Sequence, residues 1–119
     1  MAARRFLATT SQRCNYFDFD ESLIKKQYED LVLKHSRYLV ENPQRSVRLE
    51  GNADERGSRE YNLALGNQRA EVVKRSLMLL GVPEKRIETV SFGEEKPRAT
   101  GHDDVSWAEN RRVDFVYRP

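Results

Sequence analysis

Apolar and polar residues alternate along Asn15 to Asp20, NYFDFD, with Tyr16, Asp18 and Asp20 on one side and Phe17 and Phe19 on the other. A period of two predicts a strand that turns both phenylalanines toward a core. From Ser22 the period changes. Ile24, Tyr28, Leu31, Val32, His35, Tyr38 and Leu39 recur at helical spacing, and this helix is expected to end near Asn42, where Pro43 blocks continuation. Alternation returns over Ser46 to Glu50, with Val47 and Leu49 on one face. Gly51 to Gly57 reads as a turn. Ser58 reads as the N-cap of a second helix, because its hydroxyl can accept a first-turn amide.

The second helix is expected to reach Leu80, with Leu65, Val72, Val73, Ser76, Leu77 and Leu80 inward and Gly81 closing it. Val82 and Pro83 begin a short helical turn to Arg86, Ile87 to Phe92 form a third strand, and Val113 to Tyr117 form the last. Residues 93–112 make a connection too long to be idle, with one or two helical turns expected within Asp103 to Asn110. The order β-α-β-α-β-β predicts a two-layer α/β sandwich of the α+β kind, a mixed sheet covered by two long helices. Strand–helix–strand connections favour parallel neighbours, and the final pair is open to an antiparallel arrangement. A chain of 119 residues suits one domain, expected over residues 15–119 behind a flexible lead of residues 1–14.

Composition narrows the function. Lys and Arg exceed Asp and Glu by 21 to 19, so the net charge of +2 gives no field that would draw in nucleic acid or a membrane surface. Acids flank Arg111, Arg112 and Arg118, and nucleic acid is not expected as a partner. No apolar run approaches the ~20 residues of a membrane span. The basic opening MAARRF lacks the apolar segment of a signal peptide, so the chain reads as a piece of a longer precursor. Cys14 is alone, and the Ser11-Gln12-Arg13 before it is unlike a lipid-attachment signal, so it is not read as an acylated residue.

Catalysis is not expected. Asp18 and Asp20 share one strand face with nothing to raise a carboxyl pKa, and two histidines supply no nucleophile–base set. Asp18, Asp20 and Glu21 lack the twelve-residue calcium-loop pattern, so neither metal nor cofactor is expected. His35 is expected to be a packed, hydrogen-bonded core histidine, His102 an exposed loop residue and Trp107 a core plug beneath the long connection.

Four blocks remain, YFDFD, EGNADERGSREYNLALGNQRA, VSFGEEKP and WAENRRV, and the first helix between the first two makes a fifth. In this order they resemble the OmpA-like C-terminal domain, and within it the peptidoglycan-associated lipoproteins, across about residues 15–117. Many members carry histidine or tyrosine after the glycine, where this chain has Asn52-Ala53. The resemblance implies a βαβαββ sandwich that binds peptidoglycan through the diaminopimelate residue of the stem peptide. It implies a periplasmic, outer-membrane-associated location in a Gram-negative bacterium, a lipid anchor on the full-length protein, and Tol proteins as further partners. Porins and flagellar stator proteins with related domains are the alternative.

Diaminopimelate ends in an ammonium and a carboxylate on one carbon, so a selective site needs an acceptor and a cationic donor close together. By resemblance, Asp54 takes the ammonium and Arg69 the carboxylate. The residues alone leave a second reading open, in which Asp54 and Arg69 pair with each other to pin the turn. Phe19 and Asp20 line the pocket by resemblance, although alternation alone puts Phe19 in the core. Asn62 is expected to bond the aspartate turn, Leu65 to pack beneath ligand or core, and Asn52 to support the pocket wall. Of Arg111 and Arg112, one is expected to brace the pocket by pairing with an acid and the other to be solvated.

Overall fold

The computed structural model describes residues 13–117. β2 (Val47–Asn52) runs parallel to β3 (Ile87–Gly93) and antiparallel to β4 (Arg112–Tyr117), and β1 (Cys14–Tyr16) pairs antiparallel with the other edge of β4. The strand order β1-β4-β2-β3 makes the mixed sheet expected, but β4 inserts between β1 and β2. The first strand–helix–strand unit therefore does not join sheet neighbours, and β3 and β4 do not pair. Among the described residues three α-helices accompany the sheet: α1 (Glu29–Glu41), α2 (Arg59–Leu79) and the short α3 (Asp104–Asn110) inside the β3–β4 connection.

One sheet face carries the core. Val47 and Leu49 of β2 and Val113 and Phe115 of β4 bury against Leu39 of α1 and Val73 and Leu77 of α2. Residues that alternate with them carry charge on the other face, where Arg48 pairs with Glu50 at 2.8 Å and Arg112 with Asp114 at 3.1 Å. His35 is buried as expected, stacked on Phe115 with ring centroids 3.9 Å apart, and its Nδ1 lies 2.5 Å from the Tyr117 hydroxyl.

Ser58 caps α2 by accepting the Tyr61 amide at 3.1 Å. At the other end Gly81 adopts φ +104. The Val82 amide donates to Leu77 O and the Gly81 amide to Met78 O, both at 3.0 Å, which satisfies carbonyls the helix end would leave orphaned. Val82 is thereby turned inward, and Leu80, expected on the buried stripe, stays 43% exposed.

The N-terminal third departs most from the alternation. β1 begins at Cys14, a buried residue the expected boundary left in the lead, and stops at Tyr16. Residues 1–12 of that lead lie outside the described residues. Phe17 is buried, but the chain then turns at Asp20, whose φ of 58 is left-handed, and Phe19 points outward. The helix expected from Ser22 starts only at Glu29, after a 3-10 turn over Lys26–Tyr28. Residues between Asp18 and Lys25 follow an irregular course, in which the carbonyls of Asp18 and Glu21 accept bonds from Arg69 and the Glu21 amide donates to Asp18 O at 3.2 Å.

α2 crosses β2 at closest approach where two glycines meet. A Cβ on Gly51 would lie 1.8 Å from Gly66 O, and one on Gly66 would lie 2.3 Å from Ser91 Oγ. Backbone cannot yield as a side chain end can. Gly51→Ala must lift α2 off the sheet, and is expected to cost about 3 kcal/mol or more in urea unfolding. Ala at solvent-exposed Gly101, where the near neighbour is a flexible Ser106 hydroxyl, should cost far less.

Candidate functional site

A cleft of about 230 Å³ opens beyond the C-terminal end of β2. Ala53, Asp54, Arg56 and Gly57 of the turn form one wall, Tyr61, Asn62 and Leu65 of α2 another, and Phe19 and Asp20 of the first loop a third. The Tyr61 hydroxyl donates to the Asp20 carboxylate and joins the second wall to the third.

Asp54 is the anionic centre. Its side chain is buried, yet Oδ1 accepts the Arg56 amide at 3.0 Å and Arg56 Nε at 3.1 Å, and Oδ2 accepts Arg56 Nη2 at 2.8 Å. Arg111 Nη1 approaches the same Oδ2 at 3.4 Å. Burial pushes the Asp54 carboxyl up, but the bonds from Arg56 and Arg111 outweigh it and hold the group below the ordinary carboxylate range. Arg56 is held between two rings, its guanidinium carbon 4.0 Å from the Phe19 centroid and 4.2 Å from that of Trp107. Such stacks are worth about 0.5–1 kcal/mol each at exposed sites. Glu55 completes the turn by accepting Trp107 Nε1 at 2.8 Å and pairing with His102 Nδ1 at 2.6 Å.

Arg69 has a different place from Asp54. It is fully buried, and each nitrogen donates to a carbonyl: Nε to Glu21 at 2.8 Å, Nη1 to Asn52 at 2.9 Å and Nη2 to Asp18 at 3.1 Å. It does not line the cleft but ties the first loop and the end of β2 together beneath it. No ion pair joins it to Asp54, so the pairing that the spacing left open is not the arrangement found. Burial and the nearby Arg111 push its pKa down to about 10, and it stays cationic at neutral pH.

Other expected residues divide. Phe19, Asp20, Asn62 and Leu65 all line the cleft. Asn62 donates to Glu94 at 2.8 Å and not to the aspartate turn, because its amide points toward the β3 end. Asn52 supports the site through its carbonyl. Arg111 braces Asp54 and also donates to Phe17 O at 2.9 Å. Arg112, expected to be solvated if its neighbour braced the pocket, is buried on the charged sheet face, where the connection wraps it through the carbonyls of Lys96 and Asn110. Trp107 is half-buried against Arg56 and plugs no core. His102 is exposed as expected, though paired with Glu55. Arg56 and Tyr61 were missed as site residues. An aspartate whose carboxylate can cap the amide two residues on was the available signal for Arg56. Among the described residues no group of three or more His, Cys, Asp or Glu side chains could hold a metal ion.

A sequence model of the OmpA family matches residues 16–111, most of the chain. The chain belongs to the OmpA family. It is 52% identical over 100 residues to the peptidoglycan-associated lipoprotein of Pseudomonas putida, covering 84% of this chain and 60% of that protein. It is 44% identical over 108 residues to that of Pasteurella multocida, covering 89% and 72%. The chain thus spans about 60% of the Pseudomonas putida relative's length. The crystal structure of the peptidoglycan-associated lipoprotein from Burkholderia pseudomallei superposes with a TM-score of 0.89 at 54% identity, over 91% of this chain and 92% of that one. The C-terminal domain of Helicobacter pylori MotB superposes with a TM-score of 0.82 at 17% identity, over 89% and 84%, and shows the same fold.

Arg69→Met leaves three carbonyls without their donor, and is expected to lower stability by about 3 kcal/mol or more in urea unfolding. For Asp54 the sign runs the usual way for a depressed carboxyl, with stabilisation present above the ordinary range and lost as pH falls through the lowered value. The stability difference between wild type and Asp54→Asn should hold steady near neutrality and shrink below about pH 4, measured by urea midpoints at stepped pH.

Proposed function

We propose that this domain binds peptidoglycan non-covalently through the diaminopimelate residue of the stem peptide, and that the protein carrying it tethers the outer membrane to the cell wall. The observation that carries this reading is the buried Asp54 carboxylate at the wall of a cleft of about 230 Å³. A carboxylate kept ionised by two guanidiniums, beside the acceptor Asp20, suits an ammonium presented at the tip of a chain. Asp54 receives that ammonium. Arg69 receives the geminal carboxylate, which requires the loop at Asp18–Glu21 to yield at least one of its carbonyls. Phe19, Leu65 and Tyr61 enclose the methylene stem, and Asn62 lines the floor.

Family membership and about 50% identity to proteins named peptidoglycan-associated lipoproteins support the reading. A periplasmic, outer-membrane-associated location, a lipid anchor on the whole protein and partnership with Tol proteins belong to the same proposal. The alternative of a porin or stator domain gains little from the MotB likeness, which at 17% identity supports the fold alone. The proposed role is binding without catalysis.

Cosedimentation with purified sacculi tests the site. Asp54→Asn and Arg69→Lys, each checked for folding by circular dichroism, should reduce binding at least tenfold. A tripeptide ending in meso-diaminopimelate should compete, and its lysine analogue, which lacks the tip carboxylate, should not. Wild-type binding by both variants would refute the assignment.

A further inference from the structure

Arg56 holds Asp54 through one edge only. Nε and Nη2 make the side-on fork to the two carboxylate oxygens, at 3.1 and 2.8 Å. Among the described residues Nη1 has no hydrogen-bond acceptor, so the end-on fork formed by Nη1 and Nη2 stays open on a side chain that lines the cleft. Asp104 adds its field to Arg56 without bonding it. The two rings at 4.0 and 4.2 Å fix the plane of the guanidinium, and the Glu55 bond to the indole N–H in turn fixes Trp107. A rigid, planar, half-used fork is a receptor for a second carboxylate, since bidentate arginine–carboxylate geometry needs no rearrangement of the donor.

We propose that the open end of Arg56 binds a second carboxylate of the stem peptide, distinct from the one at the diaminopimelate tip, with Trp107 as a positioning residue that keeps the fork aimed. This rests on the stem-peptide reading above and adds a specificity to it: the cleft distinguishes free from amidated peptide. Two carboxylates of an anionic stem peptide can supply the group, that of the glutamate residue and that of the peptide's C-terminus. The chemistry at Arg56 is the same for either.

Titration calorimetry on the whole chain with four synthetic peptides separates them: an unmodified tripeptide ending in meso-diaminopimelate, one amidated at the glutamate, one amidated at the C-terminus, and one amidated at both. The wild type should bind the unmodified peptide about tenfold or more tightly than one of the single amides and than the double amide, and the affected single amide identifies the carboxylate. The ratio of free to amidated affinity is read within each variant, so any general weakening cancels. Arg56→Gln should bring it to about one, Arg56→Lys should leave it well below wild type, and Trp107→Ala should lower it while Trp107→Phe restores it. Equal wild-type affinity for all four peptides would overturn this proposal and leave the stem-peptide site standing. A ratio unchanged in Arg56→Gln would overturn it as well. No binding of any peptide would remove both readings.

Discussion

The buried guanidinium of Arg69 is the constraint on which the rest of the site depends. A fully desolvated cation on the inner face of a helix is tolerable only if its donors are satisfied. Here carbonyls from three points on the chain, Asp18, Glu21 and Asn52, satisfy them. The exchange works both ways. Arg69 gains partners, and a loop that has neither helix nor strand to occupy its carbonyls gains a fixed course over α2. That course sets Phe19 and Asp20 opposite the aspartate turn, and so creates the cleft.

Above Arg69 sits a second, complementary arrangement. Asp54 is buried and anionic, Arg56 and Arg111 compensate it, and the rings of Phe19 and Trp107 hold Arg56 flat. Burial would disfavour each charge alone. Together they keep a carboxylate ionised and its main cation immobile at the surface of a small cavity, so that this wall is a preorganised set of charges. Because Trp107 belongs to α3, the long connection between β3 and β4 contributes to the site as well as covering the sheet.

The fold beneath is separable from this chemistry. Gly51 and Gly66 let α2 lie against β2 backbone to backbone, which delivers Arg69 and the turn to the same end of the sheet. The MotB domain at 17% identity shares the fold. In this chain the scaffold rests on close packing and the cleft on paired charge.

Local sequence determined what short-range physics controls. The Ser58 cap, the Gly81 stop, the extent of α2, the inward residues of β2 and β4, the place of β3 and the burial of His35 all follow from hydrogen bonds or periods within a few residues. Asp54 was singled out by the family resemblance of its motif and by no local period. Only the tertiary structure decided where long-range bonds override local preference. Alternation through Phe19 lost to a loop whose carbonyls go to a residue some fifty positions away. A helix expected from Ser22 waited until Glu29 for the same reason. Strand order depended on β4 finding its place between β1 and β2, which no local period encodes. Arg69 sits under the cleft and Arg56 on its wall because a charge's partners are chosen by distance in space, and spacing along the chain does not carry that distance.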